Sequence, residues 1–146
     1  MANDKFNIAR FIEAQEPVMS TVVAELRKGQ KDTHWMWFVF PQLAGLGASP
    51  RANFYGIRNI EEARAYLAHP DLGARLKECV ALVLRHEGVP AAEIFGKLDA
   101  LKFRSSMALF AKASKDEPNF QLALDAFYGG EGDSATLSRL KKYKGK

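Results

Sequence analysis

The stretch "HPDLGARLKECVALVLRHEG", residues 69–88, decides the fold class. Leu72, Leu76, Val80, Val83 and Leu84 recur at the three- and four-residue intervals that line side chains along one face of an α-helix. Pro70 and Asp71 stand at its start, where a missing N–H is harmless and a carboxylate meets the positive end of the helix dipole. Gly88 closes it as a natural residue just past a helix end.

Outward from this segment the same period repeats. "NIARFIEAQ" places Ile8, Phe11 and Ile12 on one face. "PVMSTVVAELRKG" spaces Val18, Val22 and Leu26 four apart, with Pro17 suited to a first helical turn and Gly29 at the stop. "NIEEARAYLAHP" opens on Asn59 as N-cap, with Glu61 and Glu62 in the first turn. "PAAEIFG" leads to "KLDALKFRSSMALFAKASKD", whose expected buried face is Leu98, Leu101, Met107, Phe110 and Ala111. "PNFQLALDAFYGG" closes on paired glycines, and "GDSATLSRLKKY" has Asp133 or Ser134 as its N-cap. Only "ANFYGI", residues 52–57, leaves room for a short strand.

The expectation is an all-α fold: one compact multihelical domain over residues 1–138, then a basic tail over 139–146. A long, ordered, glycine-containing loop crosses it from residue 40 to about 58, where Gly45, Gly47, Ser49 and Pro50 oppose a continuous helix. Loops of that length in compact domains tend to be functional, which makes this one a candidate pocket wall.

Bulk properties narrow the function classes. The chain has 146 residues, 47% hydrophobic and 26% charged, the balance of a folded domain rather than a disordered segment. No apolar run approaches the roughly 20 residues that span a bilayer, so no membrane partner is expected. The opening "MANDKFNIARF" has early charges of both signs and lacks the apolar centre of a secretory signal. The single cysteine, Cys79, excludes an intrachain disulfide and suits a reducing compartment, so a cytoplasmic protein, bacterial in style, is expected. The last eight residues, "RLKKYKGK", hold five basic side chains and no acid, more than the whole net charge of +4, so the body is close to neutral. Such a tail can touch phosphates, but a solvated terminus explains it more simply, and no recognition helix or RNA-binding signature supports a nucleic-acid partner.

The chemistry concentrates in "THWMWFVFPQLAGL", residues 33–46, which holds both tryptophans. On a helix, residues two apart diverge and residues three apart are neighbours. Trp35 should therefore pair with Phe38, and Trp37 with Phe40; one pair can supply core while the other stacks on a planar ligand. His34 is either an acid–base group tuned by the apolar wall or a helix-start residue bonded to backbone. Gln42, fixed behind Pro41, can hydrogen-bond a ligand or tie down the loop. "GLGAS", residues 45–49, lacks the glycine spacing of a dinucleotide fingerprint and the P-loop lysine. His34, His69 and His86 have no ligand spacing and Cys79 no second cysteine beside it, so no metal and no cofactor are expected. Cys79 reads as a buried, inert thiol. In "FGKLDALKFRSS", residues 95–106, Asp99 and Lys102 can face each other, with Ser105 and Ser106 one turn on.

"KGQKDTHWMWFVFPQLAGLG", "EARAYLAHPDLGARL", "IFGKLDALKFRSSMALF" and "FYGGEGDSATL" together resemble the bacterial "domain of unknown function 1810" family, whose members often carry the label calpastatin. The resemblance runs from about Phe11 to Leu140. It implies a small, mostly α-helical, cytosolic domain and no established activity. The chain holds no calpain-inhibitor repeat and lacks the disordered composition of such inhibitors. Motif positions carried over are His34, Trp35, Trp37, Pro41, Gln42, Gly45 and Gly47, then His69, Pro70, Gly73, Arg75 and Leu76. Phe95, Gly96, Asp99, Lys102, Ser105 and Ser106 complete them. Ala108 stands where a threonine is expected, which removes a hydroxyl from that turn.

A similarity in helix order to bacterial ADP-ribose-linked N-glycosidases of riboflavin biosynthesis implies a substrate class. The expected site therefore takes a nucleotide- or ADP-ribose-like molecule, bound or hydrolysed between the aromatic block and the Asp99–Ser106 helix. Its catalytic residues would be His34, Asp99 and Ser105; Trp35, Trp37, Gln42, Arg75, Lys102 and Ser106 would bind the ligand. Whether the protein is an enzyme stays open, as does its oligomeric state. The alternative is a non-enzymatic interaction domain that uses exposed aromatics, and the simplest outcome has every aromatic in the core.

Overall fold

The computed structural model describes residues 4–47 and 49–144. Among these residues the regular structure is ten helices and no strand, the all-α fold that the periodicity predicts. In chain order they are α1 (Ala9–Gln15), α2 (Met19–Lys28), α3 (Met36–Val39), α4 (Pro50–Tyr55) and α5 (Ile60–Ala68). Then come α6 (Pro70–Leu84), α7 (Ala91–Phe95), α8 (Lys97–Ala113), α9 (Asn119–Tyr128) and α10 (Ser134–Lys144). Helix α8 is the hub, packed against α5, α7, α9 and α10, while α6 lies against α2, α5 and α9. Of the basic residues 139–146, Arg139 lies within α10; Lys146 and the side chains of Lys141, Lys142 and Lys144 fall outside the described part.

Helix α6 shows why the periodicity was informative. Leu72, Leu76, Val80 and Val83 are all buried. Its N-cap is His69, whose Nδ1 accepts the amides of Asp71 (3.1 Å) and Leu72 (3.3 Å) ahead of Pro70. Gly73 permits the tight turn between α5 and α6, because a Cβ there would collide with the carbonyl oxygen of Leu67. Asn59 caps α5 by accepting from the Glu62 amide at 2.9 Å. Asp133, not Ser134, caps α10, accepting from the Thr136 amide (3.0 Å) and hydroxyl (2.7 Å).

Four local expectations need correction. Leu98 and Leu101 are 74% and 60% exposed. The buried stripe of α8 runs through Ala100, Phe103, Met107 and Phe110, and at about 100° per residue the two leucines fall off it. Pro17 lies in the turn joining α1 to α2, not in the first turn of α2. Residues 50–55 of the glycine-containing segment form α4, capped by Ser49, and extended pairing shrinks to one parallel bridge between Leu43 and Ile57. Lastly, Trp35 packs on Phe40 (ring centroids 6.0 Å apart) while Phe38 tilts against Tyr55 (5.4 Å). Helix α3 is only four residues long and Phe40 has left helical geometry (φ −122°, ψ 72°), so i,i+3 pairing does not extend across its ends.

Candidate functional site

The aromatic block is positioned by a buried carboxylate on α2. Glu25 accepts from the backbone amides of Asp32 (2.9 Å) and Thr33 (3.1 Å), the Thr33 hydroxyl (2.7 Å) and the Trp35 indole N–H (2.9 Å). Burial alone would raise its pKa; those bonds, the Thr33 hydroxyl foremost, outweigh it and hold the carboxyl down at about 2. The anchored turn sends the Trp35 ring into the core, where it is 1% exposed, and leaves His34 outside. The thiol of Cys79, by contrast, is pushed up to about 12 by burial, as an inert core cysteine should be.

Trp37, two residues on, is half-buried and lines a shallow cleft with Gln42, Gly47, Ala52, Tyr55 and Gly56. The cleft is a shallow, open depression whose interior has room for about one water-sized molecule, so a larger ligand would lie across its mouth. Its floor is Leu43, held by the bridge to Ile57: Ala44 donates to the Ile57 carbonyl (2.7 Å) and Ile57 donates to the Gln42 carbonyl (2.8 Å). The Gln42 carboxamide makes no hydrogen bond to any described residue. The rear wall is fixed by Arg10, which donates through Nε to the Phe54 carbonyl (2.7 Å) and through Nη2 to the Gly56 carbonyl (3.0 Å) and Glu62 (2.7 Å).

Cations crowd the indole of Trp37. The Arg51 guanidinium and the Lys102 ammonium each lie 5.0 Å from its ring centroid, within range for attraction to the negative face of the ring. Lys102 also meets Asp99 Oδ1 at 3.2 Å, and the other oxygen of Asp99 meets Lys31 at 2.7 Å. Lys31 in turn sits 5.1 Å from the Trp35 ring and donates its backbone amide to the Ile94 carbonyl at 2.7 Å. Two lysines thus flank the Asp99 carboxylate, and Arg51 joins Lys102 at the Trp37 indole, an excess of positive charge beside a small cleft.

The residues singled out from sequence divide accordingly. Trp37, Gln42, Lys102 and Asp99 belong to this one neighbourhood. His34, Asp99 and Ser105 meet three different surroundings: His34 is exposed, Asp99 is held between two lysines, and Ser105 is buried with its hydroxyl donating to the Leu101 carbonyl at 3.2 Å. Ser106 is fully buried in α8, its hydroxyl without a partner among the described residues. Arg75 is engaged by α1, donating to Gln15 (3.3 Å) and Glu16 (3.0 Å). Among the described residues no three His, Cys, Asp or Glu side chains gather as metal ligands would, and no helix is long and apolar enough to cross a membrane.

Sequence reasoning missed Arg51, Tyr55, Glu25 and Arg10. Glu25 carried a usable signal, since three residues after Val22 it falls on the apolar face of α2, whereas Arg10 stands across its helix from Ile8 and Ile12 and carried none. Arg51 carried none, because its partner Trp37 is reached only through the fold.

A family model described as "Protein of unknown function (DUF1810)" matches residues 5–140. The chain belongs to the DUF1810 family. The match takes in every residue of the Trp37 cleft and reaches into α10. The crystal structure of the conserved hypothetical protein Rv1873 from Mycobacterium tuberculosis is similar to this DUF1810 chain, with 52% sequence identity and a TM-score of 0.93. The alignment covers 94% of this chain and 99% of that one. No curated protein matches.

Proposed function

We propose that this DUF1810 protein binds a small anionic, nucleotide-like molecule in the cleft beside Trp37. The observation that carries the proposal is the pair of cations, Arg51 and Lys102, each 5.0 Å from one indole. An aromatic face holds cationic head groups in place without neutralising them, so they stay able to donate charge-assisted hydrogen bonds to a phosphate. Asp99 offsets only part of the charge and orients Lys102. The uncommitted carboxamide of Gln42 offers both a donor and an acceptor to a base or ribose edge. The resemblance in helix order to ADP-ribose-linked N-glycosidases points to the same ligand class.

Binding is favoured over hydrolysis. The Ser105 hydroxyl is turned into its own helix, and each oxygen of Asp99 already carries a lysine. Neither is poised as a nucleophile or as the counter-charge to a ribosyl cation. The alternative of an aromatic contact surface has little material: among the described residues Phe54, at 55%, is the one large aromatic that stands exposed.

Calorimetric titration with ADP-ribose, AMP and uncharged adenosine tests the proposal. ADP-ribose and AMP should bind below about 1 mM and adenosine more weakly. Arg51→Ala and Lys102→Ala should each weaken binding about tenfold, the worth of one charge-assisted hydrogen bond. No heat from ADP-ribose at several times that concentration, or unchanged affinity in Trp37→Ala, would overturn it.

A further inference from the structure

The glycine loop that walls the cleft is touched by three parts of the chain. Gly47 lies against the methyl of Ala52, which a Cβ at Gly47 would approach to 2.8 Å, and Gly56 lies equally close to Ala44. Both contacts are local to residues 44–56. The third comes from the far end of the sequence. Gly45 has φ +92°, and the space its Cβ would fill is taken by the Arg139 guanidinium, whose Cζ would be 2.6 Å away and Nη2 closer still. Arg139 thus packs against the loop at Gly45, at a position where any larger residue would displace it.

Helix α10 is well placed to hold Arg139 there. Its buried Thr136 is bonded to the capping Asp133, Leu137 packs beside Gly132 close to Ala108 of α8, and Leu140 packs on the core. Between Gln42 and Gly47 the loop's own apolar anchors are the buried Leu43 and the partly buried Leu46, while Gly45 and Gly47 offer no side chain to pack.

We infer that α10 is the element that positions the cleft wall, with Arg139 as its contact point, so that docking of the C-terminal helix and ligand binding are coupled. The inference rests on the binding site proposed above and adds its control. With Arg139 seated, the loop holds Gln42 and Gly47 against Trp37. With α10 displaced, the wall is free to move and the ligand loses a preformed surface. By linkage the effect runs both ways: a ligand that needs the pinned wall must also favour the docked helix.

The experiment compares wild type with Arg139→Ala and Arg139→Gln, reading backbone amide exchange without ligand and the affinity for ADP-ribose. Both variants should speed exchange of residues 43–47 by about tenfold or more while leaving α6 amides unchanged, the mark of local rather than global opening. Affinity for ADP-ribose should fall by a similar factor, and saturating ADP-ribose should slow amide exchange in α10 of the wild type. Loop exchange unaffected by both variants overturns the inference, as does faster loop exchange with full affinity retained. If wild type binds no ADP-ribose yet the loop responds to the variants, the ligand proposal fails while the positioning role of Arg139 stands.

Discussion

Arg10 gives the sharpest energetic prediction, because its guanidinium is completely used. Its five N–H groups go to the carbonyls of Phe54 (2.7 Å), Phe6 (2.7 Å), Asn7 (2.9 Å) and Gly56 (3.0 Å) and to Glu62 (2.7 Å). The Arg10 and Glu62 side chains are 5% and 0% exposed. Arg10→Met keeps the apolar stem and removes every donor. It leaves the Glu62 carboxylate with the Arg58 amide at 2.9 Å and a long contact to the Arg58 side chain at 3.6 Å. Breaking a buried ion pair from one side costs about 3–5 kcal/mol, mostly from the stranded charge. For a domain of this size that lowers Tm by about 8–15 °C. Adding Glu62→Gln removes the stranded charge, so the double variant should recover about 1–2 kcal/mol relative to additivity. Urea unfolding of the four proteins measures the cycle. Loss of less than about 1 kcal/mol in Arg10→Met, or strict additivity, would show that the pair does not close the wall behind the cleft.

Other outcomes follow from the same contacts. The folded pKa of Glu25, about 2, lies below its ordinary 4.5, so its contribution to stability is full above pH 4.5 and drains away as pH falls toward 2. Glu25→Gln should flatten that acid limb in a pH series of urea melts, and an unchanged limb would contradict the assignment. Trp35→Ala should cost about 3–5 kcal/mol as a core truncation, whereas Trp37→Ala, at a half-buried ring, should cost about 1 kcal/mol or less and act on ligand affinity. Gly73→Ala should destabilise by about 1–3 kcal/mol because the added methyl meets backbone, not a movable side chain; a neutral result in thermal melts would mean that α5 and α6 cross less tightly.

How much of this was legible in the sequence depends on the range of the interaction involved. Helix α6 could be read directly, since Leu72, Leu76, Val80 and Val83 are a local pattern and all are buried. The caps at Asn59 and Asp133 could be read for the same reason, being contacts three residues long. The phase of α8 could not, because both Leu98 and Ala100 fit a helical stripe and only its neighbours α5, α7 and α9 decide which side is inside. Within the site, Trp37 and Gln42 were visible as an aromatic and an amide in an irregular stretch. Lys102 stood out through its spacing from Asp99, but its place over Trp37 joins segments 65 residues apart in numbering. Arg51 and Arg139 were silent: one is an ordinary surface arginine in α4, the other one of five basic residues in a basic run, and both acquire meaning only from what the fold sets beneath them.

The two tryptophans provide an internal control for the central claim, that the site is the cleft at Trp37 and not the aromatic core around Trp35. Trp35 donates its indole N–H to Glu25 inside the core, and Trp37 lines the cleft. In a ¹⁵N–¹H correlation spectrum the two indole signals can be followed separately during titration with ADP-ribose. The Trp37 indole and the Gln42 side-chain amide should shift together and saturate at one dissociation constant while the Trp35 indole stays in place. A Trp37 signal that does not move at millimolar ligand, or a Trp35 signal that moves instead, would contradict it.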